Sequence, residues 1–88
     1  MIHGQQTREA FKMKILVFAH LQEQLGTSEL ELDWEAQTVQ TFKEAFQQSY
    51  GIDSLDQVMI AVNEEFARGQ AMIQKDDVVA LIPPVSGG

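Results

Sequence analysis

The last six residues, Pro83-Pro84-Val85-Ser86-Gly87-Gly88, carry the strongest candidate for covalent chemistry in this chain, and the reactive group is part of the backbone. Proline lacks an amide donor and fixes φ, so Pro83 and Pro84 are expected to end strand pairing after the apolar run "VVALI" and to project the remaining residues away from the domain. Fully extended, six residues span about 20 Å, enough to enter a pocket on a neighbouring protein. Val85 offers one apolar anchor, Ser86 is small, and Gly87 and Gly88 have no side chain, so the end can pass a constriction that a Cβ would block. It would deliver the α-carboxylate of Gly88, ionised at neutral pH. A carboxylate is a poor electrophile, but an acyl-adenylate has a good leaving group, and a sulfur donor can convert it to a thiocarboxylate with a nucleophilic terminal sulfur. Taken alone, a Gly-Gly end more often marks a frayed terminus. Joined to a Pro-Pro lead directly after a strand, in a small acidic domain, it is much more specific.

Other reactive material is sparse. The chain has no cysteine, which removes disulfides, thiolate metal sites and a cysteine nucleophile together. His20 and Glu23 could share a helical face, but two groups at one spacing are too few to hold a metal, and a surface histidine is the simpler reading. His3 lies in the N-terminal segment and carries no weight. The adjacent acids Glu64–Glu65 and Asp76–Asp77 sit in turn-like sequence, where neighbours diverge into water and do not converge on one substrate. Ser86 has no evident base beside it. Gly51, Gly69, Gly87 and Gly88 form no phosphate-binding pattern, since no helix follows the last two. No metal site and no intrinsic cofactor are expected, and the domain reads as a carrier or binding module.

Composition narrows the partners. The 88 residues have a formal charge of −7, from thirteen acids against six bases. A nucleic-acid backbone would be repelled, and a basic protein surface suits better. No apolar run approaches the roughly 18 residues of a membrane span, and "MIHGQQTREAFK" has no apolar signal-peptide core. The expectation is a soluble cytoplasmic protein. A domain this small buries only about 60% of the surface its unfolded chain exposes, so there is room for one core and no second domain.

The elements that position the tail emerge from periodicity. Residues 1–12 lack persistent patterning and are read as an extension or cloning remnant, disordered and outside the fold, with the domain proper at 13–82 and the tail at 83–88. "KILVFA" (14–19) is a strand apolar at both parities, so both its faces expect cover. "HLQEQLG" is a short helical turn ended by Gly26. "SELELDW" alternates, with Leu30, Leu32 and Trp34 inward and the acids outward, and is expected to pair antiparallel with the first strand. "TVQTFKEAFQQSYG" is the main helix, capped by Thr38 and closed by Gly51, with Val39, Phe42, Ala45 and Phe46 on one face. "VMIAVN" (58–63) is a strand, "EEFARGQ" a turn around Gly69, "AMI" a strand fragment, and "VVALI" (78–82) the last strand. The first and last strands suit central positions. One helix covers one sheet face, so apolar residues of the other parity, Phe18 and Ile82 with Phe66 from the turn, are candidates for a patch that a partner covers. The same pattern also fits core residues with the faces assigned the other way.

The runs "KILVFAHLQEQLG", "VNEEF" and "DDVVALIPPVSGG" resemble the small subunit of molybdopterin synthase, a ubiquitin-like sulfur carrier family, over Met13 to Gly88. That resemblance implies an α+β fold of the β-grasp (ubiquitin-like) type, a mixed sheet of four to five strands with one main helix on one face. It further implies that Gly88 is adenylylated at the expense of ATP by a ubiquitin-activating-type adenylyltransferase, converted to a thiocarboxylate, and inserted through Pro83–Gly87 into the large synthase subunit. There its sulfur would pass to cyclic pyranopterin monophosphate in molybdenum cofactor biosynthesis. The assembly would be a heterotetramer of two small and two large subunits, the catalytic residues belonging to the large one, with Phe18, Phe66 and Ile82 at the partner contacts. A related thiocarboxylate carrier for thiamine or tRNA thiolation, or a ubiquitin-like modifier joined to lysines, is the alternative. The family's Asp-Gly-Asp turn before the last strand is replaced by Lys75-Asp76-Asp77, where an aspartate would have to take the left-handed conformation.

Overall fold

The computed structural model describes residues 12–52 and 55–84. In chain order its elements are β1 (Met13–Val17), α1 (Ala19–Leu25), β2 (Glu29–Leu32), β3 (Gln37–Thr38), α2 (Val39–Tyr50), β4 (Met59–Val62), β5 (Glu65–Ala67), β6 (Met72–Ile73) and β7 (Val78–Ile82).

The two strands apolar at both parities lie inside the main sheet, as their pattern requires. β7 pairs parallel with β1, from Lys14 opposite Val78 to Val17 opposite Leu81, and antiparallel with β4 on its other side. β2 closes one edge against β1 and β5 the other against β4, giving the order β2-β1-β7-β4-β5. With α2 supplying Val39, Phe42 and Phe46 to the core that underlies one face of this mixed sheet, the arrangement is the β-grasp. β3 and β6 form a separate antiparallel pair, Gln37 opposite Ile73 and Thr38 opposite Met72.

α2 starts and stops where its local chemistry dictates. Thr38 Oγ1 accepts from the Thr41 amide at 3.2 Å. The Val39 and Gln40 amides, with no partner inside the helix, donate to the carbonyls of Ala71 and Gly69, each at 2.9 Å. The helix ends at Gly51, which takes φ +60 and donates to Gln47 O at 2.9 Å. Aromatic rings run along its buried side: Phe42 stacks on Phe46 at 5.4 Å, Trp34 meets Phe42 edge-on at 5.6 Å, and Tyr50 lies 4.7 Å from Phe46. Beyond the helix, Gln47 Oε1 accepts from the Leu55 amide at 3.1 Å, and Leu55 is fully buried.

Three expectations are corrected. The first strand stops at Val17 and not Ala19, because Phe18 takes the N-cap position of α1 and Ala19 turns to φ +53. "EEFARGQ" does not form a turn throughout: Glu65–Ala67 is an edge strand, brought back onto β4 by the two-residue loop Asn63-Glu64, both residues left-handed at φ +53 and +72. Nor does the turn before β7 need a left-handed aspartate, since Lys75, Asp76 and Asp77 all have negative φ. Asp77 Oδ2 instead accepts from the Gln74 amide at 2.8 Å while its own amide donates to Gln74 O at 3.2 Å. The two loops are joined. Asn63 Nδ2 donates to Asp77 Oδ1, the Val78 amide donates to Asn63 Oδ1, each at 3.0 Å, and the Asn63 amide donates to Val78 O at 2.7 Å.

Asparagine tolerates the left-handed region; glutamate does so at a cost of about 1–2 kcal/mol. Replacing Glu64 with glycine removes that strain against a glycine entropy cost of about 0.5–1 kcal/mol, so E64G should raise the melting temperature by roughly 2–6 °C. A fall in the calorimetric midpoint would show that the Glu64 side chain contributes more than its backbone costs.

Candidate functional site

The sheet face opposite α2 is defined by the registers alone. One row crosses all five strands, from Glu29 through Leu16, Ala80 and Ala61 to Phe66. On the same face, Met59 lies opposite Ile82. Phe18 continues β1 with extended backbone (φ −133, ψ 163) one residue past Val17, just as Ile82 lies one residue past Val17's partner Leu81. Phe18, Phe66 and Ile82, proposed from sequence as a partner contact, are therefore placed on one face. Phe66 is 70% exposed, Met59 50% and Phe18 45%, while Leu16, Ala80 and Ile82 are half-buried. Exposed apolar side chains gathered on one face are a candidate interaction surface.

Met59 escaped the sequence reading. In "VMIAVN" both parities are apolar, and only the pairing with β7 shows that Met59 faces outward while Ile60 is buried. Leu16, by contrast, shares the parity of Phe18 and falls on the face expected for that residue.

β7 ends at Ile82, on the flank of this patch. Of the two prolines after it, Pro83 is buried and Pro84 is exposed. Pro83 is thus packed against the domain while Pro84 faces outward. Val85, Ser86, Gly87 and Gly88 lie outside the described residues, as do residues 1–11.

Charge flanks the patch. At the β2 margin Glu29 and Glu31 stand opposite Leu16 and Lys14, and Lys14 Nζ pairs with Glu29 Oε2 at 3.2 Å. Both groups are about half exposed, so the pair contributes at most about 1 kcal/mol. At the β5 end Glu64 stands in the loop before the strand, while Glu65, opposite Val62, lies at the parity of the α2 face. An apolar centre beside an acidic β2 margin suits a partner with an apolar centre and a basic margin.

The remaining sequence candidates separate. His20 and Glu23 are both exposed on α1, and among the described residues no three His, Cys, Asp or Glu side chains gather as metal ligands. Asp77 is committed to Gln74 and Asn63, a structural role that its place beside Asp76 did not reveal. Among the described residues no helix is long and apolar enough to cross a membrane.

Comparison with known proteins adds to this geometry. The model of the ThiS family matches residues 15–88. The molybdopterin synthase sulfur carrier subunit of Arabidopsis thaliana is 33% identical over 81 residues, covering 88% of this chain and 83% of that protein. A putative molybdopterin converting factor subunit 1 from Pyrococcus furiosus superposes with a TM-score of 0.70 at 26% identity, over 84% of this chain and 98% of that one. SAMP1 from Haloferax volcanii does so with a TM-score of 0.70 at 26% identity, over 88% and 99%.

Proposed function

The chain belongs to the ThiS family, and from that premise we propose that it is the sulfur carrier subunit of a molybdopterin synthase, working in the cytoplasm. The observation that carries the reading is the apolar face beside the point where β7 ends: it supplies a docking surface adjoining the root of a tail suited to threading. In this reading the Gly88 carboxylate attacks the α-phosphorus of ATP on a ubiquitin-activating-type adenylyltransferase, releasing pyrophosphate. A sulfur donor then displaces AMP and leaves a thiocarboxylate. The tail from Pro83 onward enters the large subunit, Phe18, Phe66 and Ile82 with Met59 seat the domain, the thiocarboxylate sulfur bonds to cyclic pyranopterin monophosphate, and water cleaves the acyl–sulfur bond, leaving the sulfur on the acceptor. The spent carboxylate leaves to be recharged. The catalytic residues belong to the large subunit, and two small with two large subunits form the assembly.

The deciding measurement is intact and peptide mass spectrometry after co-expression with the activating enzyme, seeking replacement of one terminal oxygen by sulfur. Methionine oxidation adds nearly the same mass, so the change must map to the C-terminal peptide and react with a thiol alkylating reagent. An unmodified C-terminal peptide under charging conditions would sink the reading.

Likeness to SAMP1 favours one second reading, a modifier joined through Gly88 to lysines of other proteins. It predicts isopeptide adducts that resist reduction and alkylation, whereas the synthase reading predicts a stable non-covalent complex with a large subunit.

Docking has its own signature. Phe66→Asp places an unpaired charge at the interface, and Kd for the large subunit should rise at least about thirtyfold, a cost of about 2 kcal/mol. Since Phe66 is 70% exposed in the free domain, the melting temperature should stay put. Unchanged affinity, measured by titration calorimetry, would move the interface elsewhere.

A further inference from the structure

We propose that Met59 is a site of reversible oxidation by hydroperoxides, and that its sulfoxide uncouples the apolar face from the partner covering it. The inference rests on the reading of that face as the docking surface for the large subunit. With no cysteine, the chain holds all its own sulfur in four methionines. The three within the described residues occupy three environments. Met13 is fully buried under the sheet, Met72 is 49% exposed in the separate β3–β6 pair, and Met59 is 50% exposed on the outer face. Only Met59 of these lies directly opposite Ile82, the last residue before the prolines, and one step along the same face from the Ala61–Phe66 pair.

A methionine thioether is apolar, flexible and polarizable, and adapts well to a covering surface. Its sulfur attacks the O–O bond of a hydroperoxide, forms an S–O bond with its own electron pair, and the hydroperoxide is reduced to water or an alcohol. The product is polar and chiral. On docking, the sulfoxide oxygen must leave water for an apolar surface, which weakens Kd by about tenfold or more. A methionine sulfoxide reductase reverses the step with two electrons from a dithiol, yielding water and a disulfide. The same oxidants would destroy a thiocarboxylate cargo, so an oxidised carrier would be held off its partner until both are restored.

The test uses the full chain in its carboxylate form, in which the methionines are the sole sulfur. The protein is treated with hydrogen peroxide, its sulfoxides are located by peptide mass spectrometry, and Kd for the large subunit is measured before and after treatment. Met59→Leu and Met72→Leu are run alongside, each read against its own untreated value. The expected result is a protected Met13, oxidised Met59 and Met72, and a Kd ratio of about ten or more in the parent and M72L but near one in M59L, with reductase restoring the parent. An unreactive Met59, a parent ratio near one with Met59 oxidised, or a ratio that persists in M59L would overturn the inference while docking itself stands. Failure of the untreated protein to bind would overturn the docking reading, and the inference with it.

Discussion

Deleting Gly88 should abolish sulfur delivery and leave the melting transition unchanged. The deletion still leaves a glycine carboxylate at the end, so the chemistry of the group is preserved and only its reach changes, by about 3.5 Å. Reacting atoms must approach to about 3–3.5 Å, and a misplacement of 1 Å can cost about a hundredfold. In the proposed cycle, a shortening several times larger would remove the group from both the adenylylating and the sulfur-accepting site. Stability is insulated, because the hydrophobic core runs from Met13 to Leu81. The measurements are thiocarboxylate formation on the C-terminal peptide and single-turnover conversion of cyclic pyranopterin monophosphate, with calorimetry on the same samples. Gly88→Ala keeps the length and adds one Cβ, so it should retain partial charging if the constriction is loose and none if it is tight. Normal delivery by the shortened protein would mean that the reaction does not depend on the reach of Gly88.

The largest effect on folding is expected at Phe42. It is fully buried, stacked on Phe46 at 5.4 Å and capped edge-on by Trp34 at 5.6 Å. Truncation to alanine should cost about 3–5 kcal/mol through lost transfer energy and a cavity that the rigid helix cannot close. A domain of this length has a total of about 4–13 kcal/mol at about 0.05–0.15 kcal/mol per residue, so Phe42→Ala should bring it close to unfolding in water. Urea titration reads this as a large drop in midpoint at constant slope. Phe66→Ala, an equal loss of atoms from an exposed ring, should change stability by no more than about 0.5 kcal/mol. A loss at Phe42 below about 1 kcal/mol would contradict the packing described.

Legibility in the sequence tracks the physical range of each interaction. Both ends of α2 were legible because Thr38 and Gly51 act on amides and carbonyls within four residues of themselves. The central places of β1 and β7 were legible because burial on two sides demands apolar residues at both parities. β5 was not, because its loop holds Glu64 where a left-handed position ordinarily signals itself with glycine, and three residues are too few to show alternation. β3 is two residues long and exists by virtue of its pairing with β6. On the outer face, Phe18, Phe66 and Ile82 were found by asking what one helix leaves uncovered, whereas Met59 needed the register. The burial of Pro83 depends on tertiary packing and has no local signature.

β7 is held by β1 on one side and β4 on the other, and the tail is its direct continuation. In the proposed cycle the carrier would be withdrawn from a partner and recharged, and any pull on the tail would reach β7 first. Force applied along β7 loads the hydrogen bonds of both neighbouring ladders together, in shear, and cannot open them one at a time as it would at a sheet edge. In that cycle the domain would serve as a handle, resisting a pull along the tail through two ladders at once.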